Sequence, residues 1–208
     1  LGRGDEGGQV DEVWPALSMD VPLADGESQR VKIAGTLPPL EPDRRRSLRF
    51  TTNSAIRERT FVQDFLTLMA LSAAGYPPAG HFEAMVTKRP LKTPRGVLKT
   101  KRFTAPSPDE ARAWFAAVTG DLLSGLHAYR MPADIALKWG LERRRAEDGV
   151  TSAPEASKDI LDTYGPVHSP DRFPVPDADL LGEYVERRFG AWFDLDVDPP
   201  KASKRGKT

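Results

Sequence analysis

The sequence predicts an α/β protein of the α+β kind, with a small mixed or antiparallel sheet flanked by helices. Three observations carry that expectation. Short runs alternate apolar and polar residues, as in Val31–Ala34, Leu48–Thr52, Phe82–Thr87 and Val97–Phe103, which is the period of half-buried strands. Other stretches repeat apolar residues three and four apart, the period of a helix packed along one side. Proline and glycine, 19 and 17 of the 208 residues, punctuate the boundaries between them.

Taken in order, residues 1–12 are glycine-rich and charged and read as a flexible lead-in to one domain over 13–195, with Trp14 and Leu17 as early anchors. Val21-Pro22-Leu23 and Val31-Lys32-Ile33 flank Asp25-Gly26, a strong hairpin signal. Pro38-Pro39 and Glu41-Pro42-Asp43 then break the chain before a second strand at Leu48–Thr52, so the stretch reads as strand, turn, strand, a hairpin in which the two strands pair. A helix over about Ala55–Ala74 follows, with Phe61, Phe65, Leu68, Met69 and Ser72 on one face and Val62, Leu66 and Ala70 beside them. An apolar surface that wide predicts burial on most sides. Gly75 and Pro77-Pro78 stop it.

Phe82–Thr87 and Val97–Phe103 are expected to pair as an antiparallel hairpin. Ser107-Pro108-Asp109-Glu110 is a capping box with proline at the first helical position. The helix it opens places Ala111, Trp114, Phe115, Val118 and Leu122 on one stripe and should end near Ser124-Gly125. Met131–Trp139 reads as a shorter helix opened by Pro132, and Lys138–Glu147 as charge-dense and exposed. Val150–Pro154 is a linker, Glu155–Tyr164 a short amphipathic helix and His168–Pro176 a proline-broken loop. Asp177 caps a last helix whose Leu181, Tyr184, Val185, Arg188 and Trp192 share a face. Residues 196–208 are expected to form a basic disordered tail, structureless from Pro199 onward.

Composition narrows the function classes. An apolar fraction of 39% and a charged fraction of 29% describe a globular protein, and a formal net charge of zero gives no bulk attraction to nucleic acid. Local basic clusters remain as candidates. The absence of cysteine excludes disulfides and thiolate zinc sites. With no apolar run near the roughly 20 residues of a membrane span and no signal peptide, the expected location is the cytoplasm. The chain opens on Leu-Gly-Arg-Gly-Asp rather than methionine, which suggests a piece of a longer polypeptide.

Strand, turn, strand, helix is the layout on which nucleases of the PD-(D/E)xK type mount a metal site. Such a site needs carboxylates to hold Mg²⁺ and a lysine beside the water. Gly35-Thr36-Leu37-Pro38 occupies the place of glycine, two residues and aspartate, and ends in Pro38. Leu48-Arg49-Phe50-Thr51 occupies the acid-spacer-lysine place but offers Arg49 and Thr51. Arginine cannot ligate a cation and threonine cannot replace an ammonium, so these three read as lost catalytic positions. Glu41, Asp43 and Asp64 are the nearby acids, each accounted for by a solvated turn or a salt bridge. His81, His127 and His168 have no ligand spacing. No nucleophile elbow or phosphate-cradling glycine loop is present. No metal, no cofactor and no catalytic residue is assigned.

Together the order of elements resembles the C-terminal nuclease-like domain of the RecC family, the gamma subunit of exodeoxyribonuclease V. The carriers are Val31–Pro38, Leu48-Arg49-Phe50, Gln63 with Phe65–Leu68, Ala73-Ala74-Gly75, the unit Phe103–Tyr129 and Arg188-Phe189, over residues 15 to 195. The resemblance implies a nuclease-like core that has lost its metal ligands, within an ATP-dependent helicase-nuclease that acts in double-strand break repair and recombination. It implies RecB-like and RecD-like partner subunits and DNA, as a duplex end or single strand, and no membrane. Under it, the domain itself is not an enzyme but handles DNA and contacts other subunits. Arg44, Arg45, Arg46, Lys88, Arg89, Lys99, Lys101 and Arg102 are then the candidates for sequence-independent phosphate contacts, against the plainer reading of solvated charge. The alternatives are an active nuclease using Glu41, Asp43 or Asp64, and a pure interaction module. Exposed apolar area at a partner surface is expected.

Overall fold

The computed structural model describes residues 12–13, 16–23, 25–38, 40–41, 43–51, 56–88, 97–123, 133–145 and 178–197. The mixed architecture is as expected from the sequence: three small sheets and four helices among the described residues. Strands β1 (Glu12–Val13) and β4 (Thr36–Leu37) pair antiparallel, as do β2 (Leu17–Pro22) and β3 (Ser28–Ile33). The third sheet has the order β5 (Arg46–Phe50), β6 (His81–Lys88), β7 (Val97–Thr104). A 3-10 turn over Glu58–Phe61 leads into α1 (Val62–Ala73), followed later by α2 (Pro108–Leu123), α3 (Ala133–Arg145) and α4 (Ala178–Leu195).

The β2–β3 hairpin forms around Asp25-Gly26. Gly26 takes a positive φ of 84°, which only glycine adopts without strain, and the Glu27 N–H donates to Asp25 Oδ1 at 3.0 Å. The next expectation fails. The strand at Val31–Ile33 does not pair with the one at Leu48–Phe50; β5 instead runs parallel to β6, Leu48 beside Met85 and Phe50 beside Thr87. Parallel neighbours need a crossover, and the 3-10 turn with α1 supplies it. The proline-broken segment ends in a bridge between Leu40 and Ser47, too brief to carry β3 alongside β5.

Alternation decides what the three-stranded sheet buries. Phe82, Ala84 and Val86 of β6 and Phe103 of β7 point inward and are fully buried beneath α1, whose Phe65, Leu68, Met69, Leu71 and Ala73 complete the core. Phe65 lies at its centre, with ring centroids 5.5 Å from Phe103, 5.7 Å from Trp114 of α2 and 5.4 Å from Trp192 of α4. Aromatic rings at these tilted and edge-on angles add a specific term to their area burial. The expected α1 face is therefore buried, although the α-helix proper begins at Val62, and Leu66 stays 41% exposed.

Helix α2 opens with the capping box as read: the Ser107 hydroxyl and N–H bond Glu110 Oε2, and the Glu110 N–H returns to Ser107 Oγ. It rests on the first hairpin, where a Cβ on Gly120 would come 3.1 Å from Pro22 O. Leu122, expected on the buried stripe, is 53% exposed at the helix end. Helix α3 runs on to Arg145 rather than ending at Trp139, because α4 gives its charged half a surface to pack on. Trp139 and Ala136 join Leu181 and Val185 of α4 in a second small core, and Arg144 pairs with Glu186 and Asp194 at 2.6 Å each. Gly140 makes the close approach possible: a Cβ there would meet Val185 at 2.6 Å and Phe193 at 2.8 Å. The chain end also departs from expectation. Asp196 bridges to Phe103, and the Val197 N–H donates to Arg102 O at 3.0 Å, so both belong to the fold rather than to a tail. Glu12, likewise, pairs with Leu37 and is part of β1.

Trp14, the linker, the helix at 155–164, the loop at 168–176, the cap at Asp177 and the segment after Val197 lie outside the described residues. Among the described residues no helix is long and apolar enough to cross a membrane.

Candidate nucleic-acid interface

The three positions read as lost catalytic residues have separate environments. Pro38 is buried and, with Gly35, Thr36 and Leu37, walls an apolar cleft of about 320 Å³ whose other side is Gln63, Leu66, Thr67 and Ala70 of α1. Thr51 follows β5 and extends its ladder, its N–H donating to Thr87 O at 3.0 Å. Arg49 points inward from β5, since odd-numbered residues of that strand face α1, and there it meets Asp64. The Arg49 Nε lies 2.9 and 3.0 Å from the two carboxylate oxygens, and Nη2 also bonds Oδ2 of Asp64 and the Thr60 carbonyl. Arg49 Nη1 donates to Gln63 Oε1 at 3.0 Å, and the Ser47 hydroxyl to Asp64 Oδ1 at 2.6 Å.

Asp64 has no solvent exposure at all. A carboxylate there is tolerable only because an arginine fork and a hydroxyl satisfy it. It fastens β5 to α1. The other two acids weighed for a metal site are engaged elsewhere: Glu41 Oε2 sits 3.4 Å from Arg46 Nη1, and Asp43 Oδ1 accepts the Arg45 N–H at 3.0 Å. Among the described residues no group of three or more His, Cys, Asp or Glu side chains is placed to hold a metal ion. His81 is exposed at the start of β6, and His127 and His168 lie outside the described residues.

The basic candidates divide by strand parity. Lys101 shares the inward face of β7 with Phe103. Its side chain is 5% exposed, and the ammonium is 2.6 Å from Asp196 and 2.9 Å from Glu58 and lies over the rings of Phe103 and Trp192 at 5.7 and 5.3 Å. It is held as a structural lysine: carboxylates and aromatic faces keep the charge inside, away from the surface at which a phosphate contact was expected of it. Lys99, on the same face, donates Nζ to Ile56 O at 3.0 Å and closes the start of the 3-10 segment. Lys88 is half-buried at the end of β6, and Arg89 lies outside the described residues.

Arg102 and Arg46 instead occupy the outer face, in register on either side of Glu83. Arg46 Nε donates to Glu83 Oε2 at 2.8 Å; that hydrogen bond and then the nearby Glu41 charge hold its pKa above the ordinary arginine value. Beyond that row the same face carries Leu48, Met85 and Thr100, then Phe50, Thr87 and Leu98. Phe50 is 81% exposed and Leu98 57%. That is a contiguous apolar patch on a sheet face with nothing from the described residues packed over it.

Arg44 and Arg45 stand at the tip of the turn between Leu40 and Ser47. Arg44 has a positive φ of 56°, held by its N–H bond to Glu41 O at 2.8 Å. Its guanidinium lies 5.2 Å from the ring centroid of Tyr76, in a pocket of about 380 Å³ shared with Asp43, Arg45, Pro77, Pro78 and Ala79. Tyr76, which follows the end of α1 and stands beside Pro77-Pro78, is not among the residues singled out from the sequence. Compared with known proteins, the chain matches no protein-family model and no curated protein.

Proposed function

We propose that this chain is a non-catalytic DNA-handling and subunit-interaction domain of a RecBCD-type helicase-nuclease complex. The observation that carries the reading is the Arg49–Asp64 pair. A metal-dependent nuclease needs free carboxylates where the second strand meets the helix, and here the one buried acid of that region is bound by a guanidinium. Glu41 and Asp43 are engaged in the arginine turn, which removes support from an active nuclease with relocated acids. The exposed row of Leu48, Phe50 and Leu98 supports a protein partner on the outer sheet face, and Arg44 to Arg46 support contact with phosphates.

The test is fluorescence anisotropy of forked DNA over a salt series, alongside incubation of the same DNA with Mg²⁺ or Mn²⁺. Affinity that weakens with salt and intact DNA are expected. Degradation that disappears in Asp64→Asn would sink the non-catalytic reading. An absence of affinity for forked and single-stranded DNA at low salt would leave a protein-interaction module.

A further inference from the structure

We infer that the outer edge of β7, at Leu98–Thr100, takes an added antiparallel strand from a partner protein, an extended segment that alternates apolar and acidic side chains. The inference rests on the subunit-interaction reading and names where the partner docks and what it carries. β7 ends the three-stranded sheet, with β6 as its one strand neighbour. Two hydrogen bonds show which backbone groups face outward. The Ala105 N–H donates to Gly80 O at 3.1 Å, beside β6, and the Val197 N–H donates to Arg102 O at 3.0 Å, on the opposite side. Even-numbered residues of β7 therefore turn both N–H and C=O away from β6. Past Arg102 that leaves the N–H and C=O of Thr100 and of Leu98, and no described residue bonds any of them. Residues 98–100 are exposed, so this edge is reachable. The register begun at Val197 cannot satisfy it, because continuing it sets Pro199 opposite Thr100 and proline has no N–H to give.

The side chains select the partner. A residue added opposite Leu98 or Thr100 lies on the outer sheet face, in the rows of Thr87 and Met85, where Leu98 is exposed. Apolar or β-branched side chains suit both positions. The residue between them falls on the other face beside Lys99, whose Nζ donates to the Ile56 carbonyl at 3.0 Å. A neutral carbonyl leaves that charge uncompensated, so an acidic residue opposite Lys99 gains an ion pair. A second copy does not fit. Two β7 strands sharing all these groups would set Leu98 against Thr100 and Lys99 against Lys99, and like charges directly opposite repel. A nucleic-acid backbone fits no better, since its phosphates only accept and would leave both carbonyls unmet.

The probe is a soluble peptide alternating valine and glutamate, titrated into the isotope-labelled whole chain and followed by NMR. The amide signals of Leu98 and Thr100 should shift, and exchange of those two N–H groups should slow. In the antiparallel register the valine nitrogens face β7. Methylating them should weaken binding by more than about tenfold, while methylating the glutamate nitrogens should not. A valine–lysine peptide should bind about fivefold more weakly. Thr100→Pro removes an N–H that β6 does not use, so the variant should fold and lose the peptide. If it unfolds, the methylated peptides decide alone. Binding that ignores valine methylation, equal binding of the lysine peptide, or shifts confined to other strands overturns the edge site. A dimer in sedimentation that Thr100→Pro dissolves overturns it in favour of a second copy. Absence of peptide binding overturns it too, and leaves DNA handling to the forked-DNA titrations, in which Leu98 and Thr100 take no part.

Discussion

Two basic clusters of this chain have opposite fates. Arg44 and Arg45 sit on a tight turn, one guanidinium over a half-exposed tyrosine and the other in solvent, while Arg46 opens β5 on its outer face and pairs with Glu83. Lys101 shares a strand face with Phe103 and is buried in the core on Asp196 and Glu58, while Lys99, two residues before it, stays exposed with its ammonium on the Ile56 carbonyl. The difference is backbone geometry rather than charge. A turn fans consecutive side chains outward, whereas a strand sends every second one to the same side, and the side is set by Phe103. A run of positive charge therefore identifies a surface only after the element carrying it is known.

The largest effect that tests this contrast is expected at Lys101. Lys101→Met leaves the Asp196 carboxylate, 3% exposed, without its ammonium. It should destabilise the fold by about 3–5 kcal/mol, read from urea midpoints, with no loss of DNA affinity in the fraction that stays folded. A stable variant that binds DNA poorly would place Lys101 with the turn arginines instead. Arg49 comes next. Its side chain is 20% exposed, so solvent softens the penalty, and Arg49→Ala should lower stability by about 2–4 kcal/mol. Arg49→Lys keeps the charge without the fork and should recover about half of that, since a lysine cannot span both carboxylate oxygens. Recovery of the full amount would mean that charge alone, not the geometry of the β5–α1 joint, matters.

The smallest effect belongs to the cap of α2. Ser107→Ala should lower stability by about 1 kcal/mol at neutral pH. The Ser107 hydroxyl, and then its backbone N–H, hold the Glu110 carboxyl below its ordinary value of 4.5. A depressed folded-state value means the contribution is present above 4.5 and is lost as pH falls through the lower folded value. Urea titrations at pH 7 and at about pH 3 should then show the gap between Ser107→Ala and the unaltered chain closing in acid. A gap of the same size at both would show that the carboxylate plays no part in the cap.

Local codes in the sequence were legible because their partners lie a few residues away. Asp25-Gly26 set a hairpin, and Ser107 with Glu110 set a helix start, without help from the rest of the fold. The apolar faces of α1 and α4 were legible for the same reason, since helical spacing alone groups Phe61 with Phe65 and Leu181 with Val185. What could not be read was which strand would lie beside β5. With a parallel β5–β6 pair, Arg49 meets Asp64, and that pairing depends on a crossover. The burial of Lys101 is not legible locally because Asp196, its partner, lies at the far end of the described chain. Alternation with Phe103 gives its strand face alone. The Tyr76 pocket is a meeting of two loops, and no spacing in a linear sequence encodes it.

The crossover also orders events in time. The β2–β3 and β6–β7 hairpins can close from neighbours along the chain, but the β5–β6 ladder waits until the 3-10 turn and α1 have spanned the distance between its strands. The Arg49–Asp64 fork, which fastens β5 to α1, is expected to close together with that ladder. Mutations there should quicken unfolding and leave the folding rate nearly unchanged, which stopped-flow traces of Arg49→Lys would report.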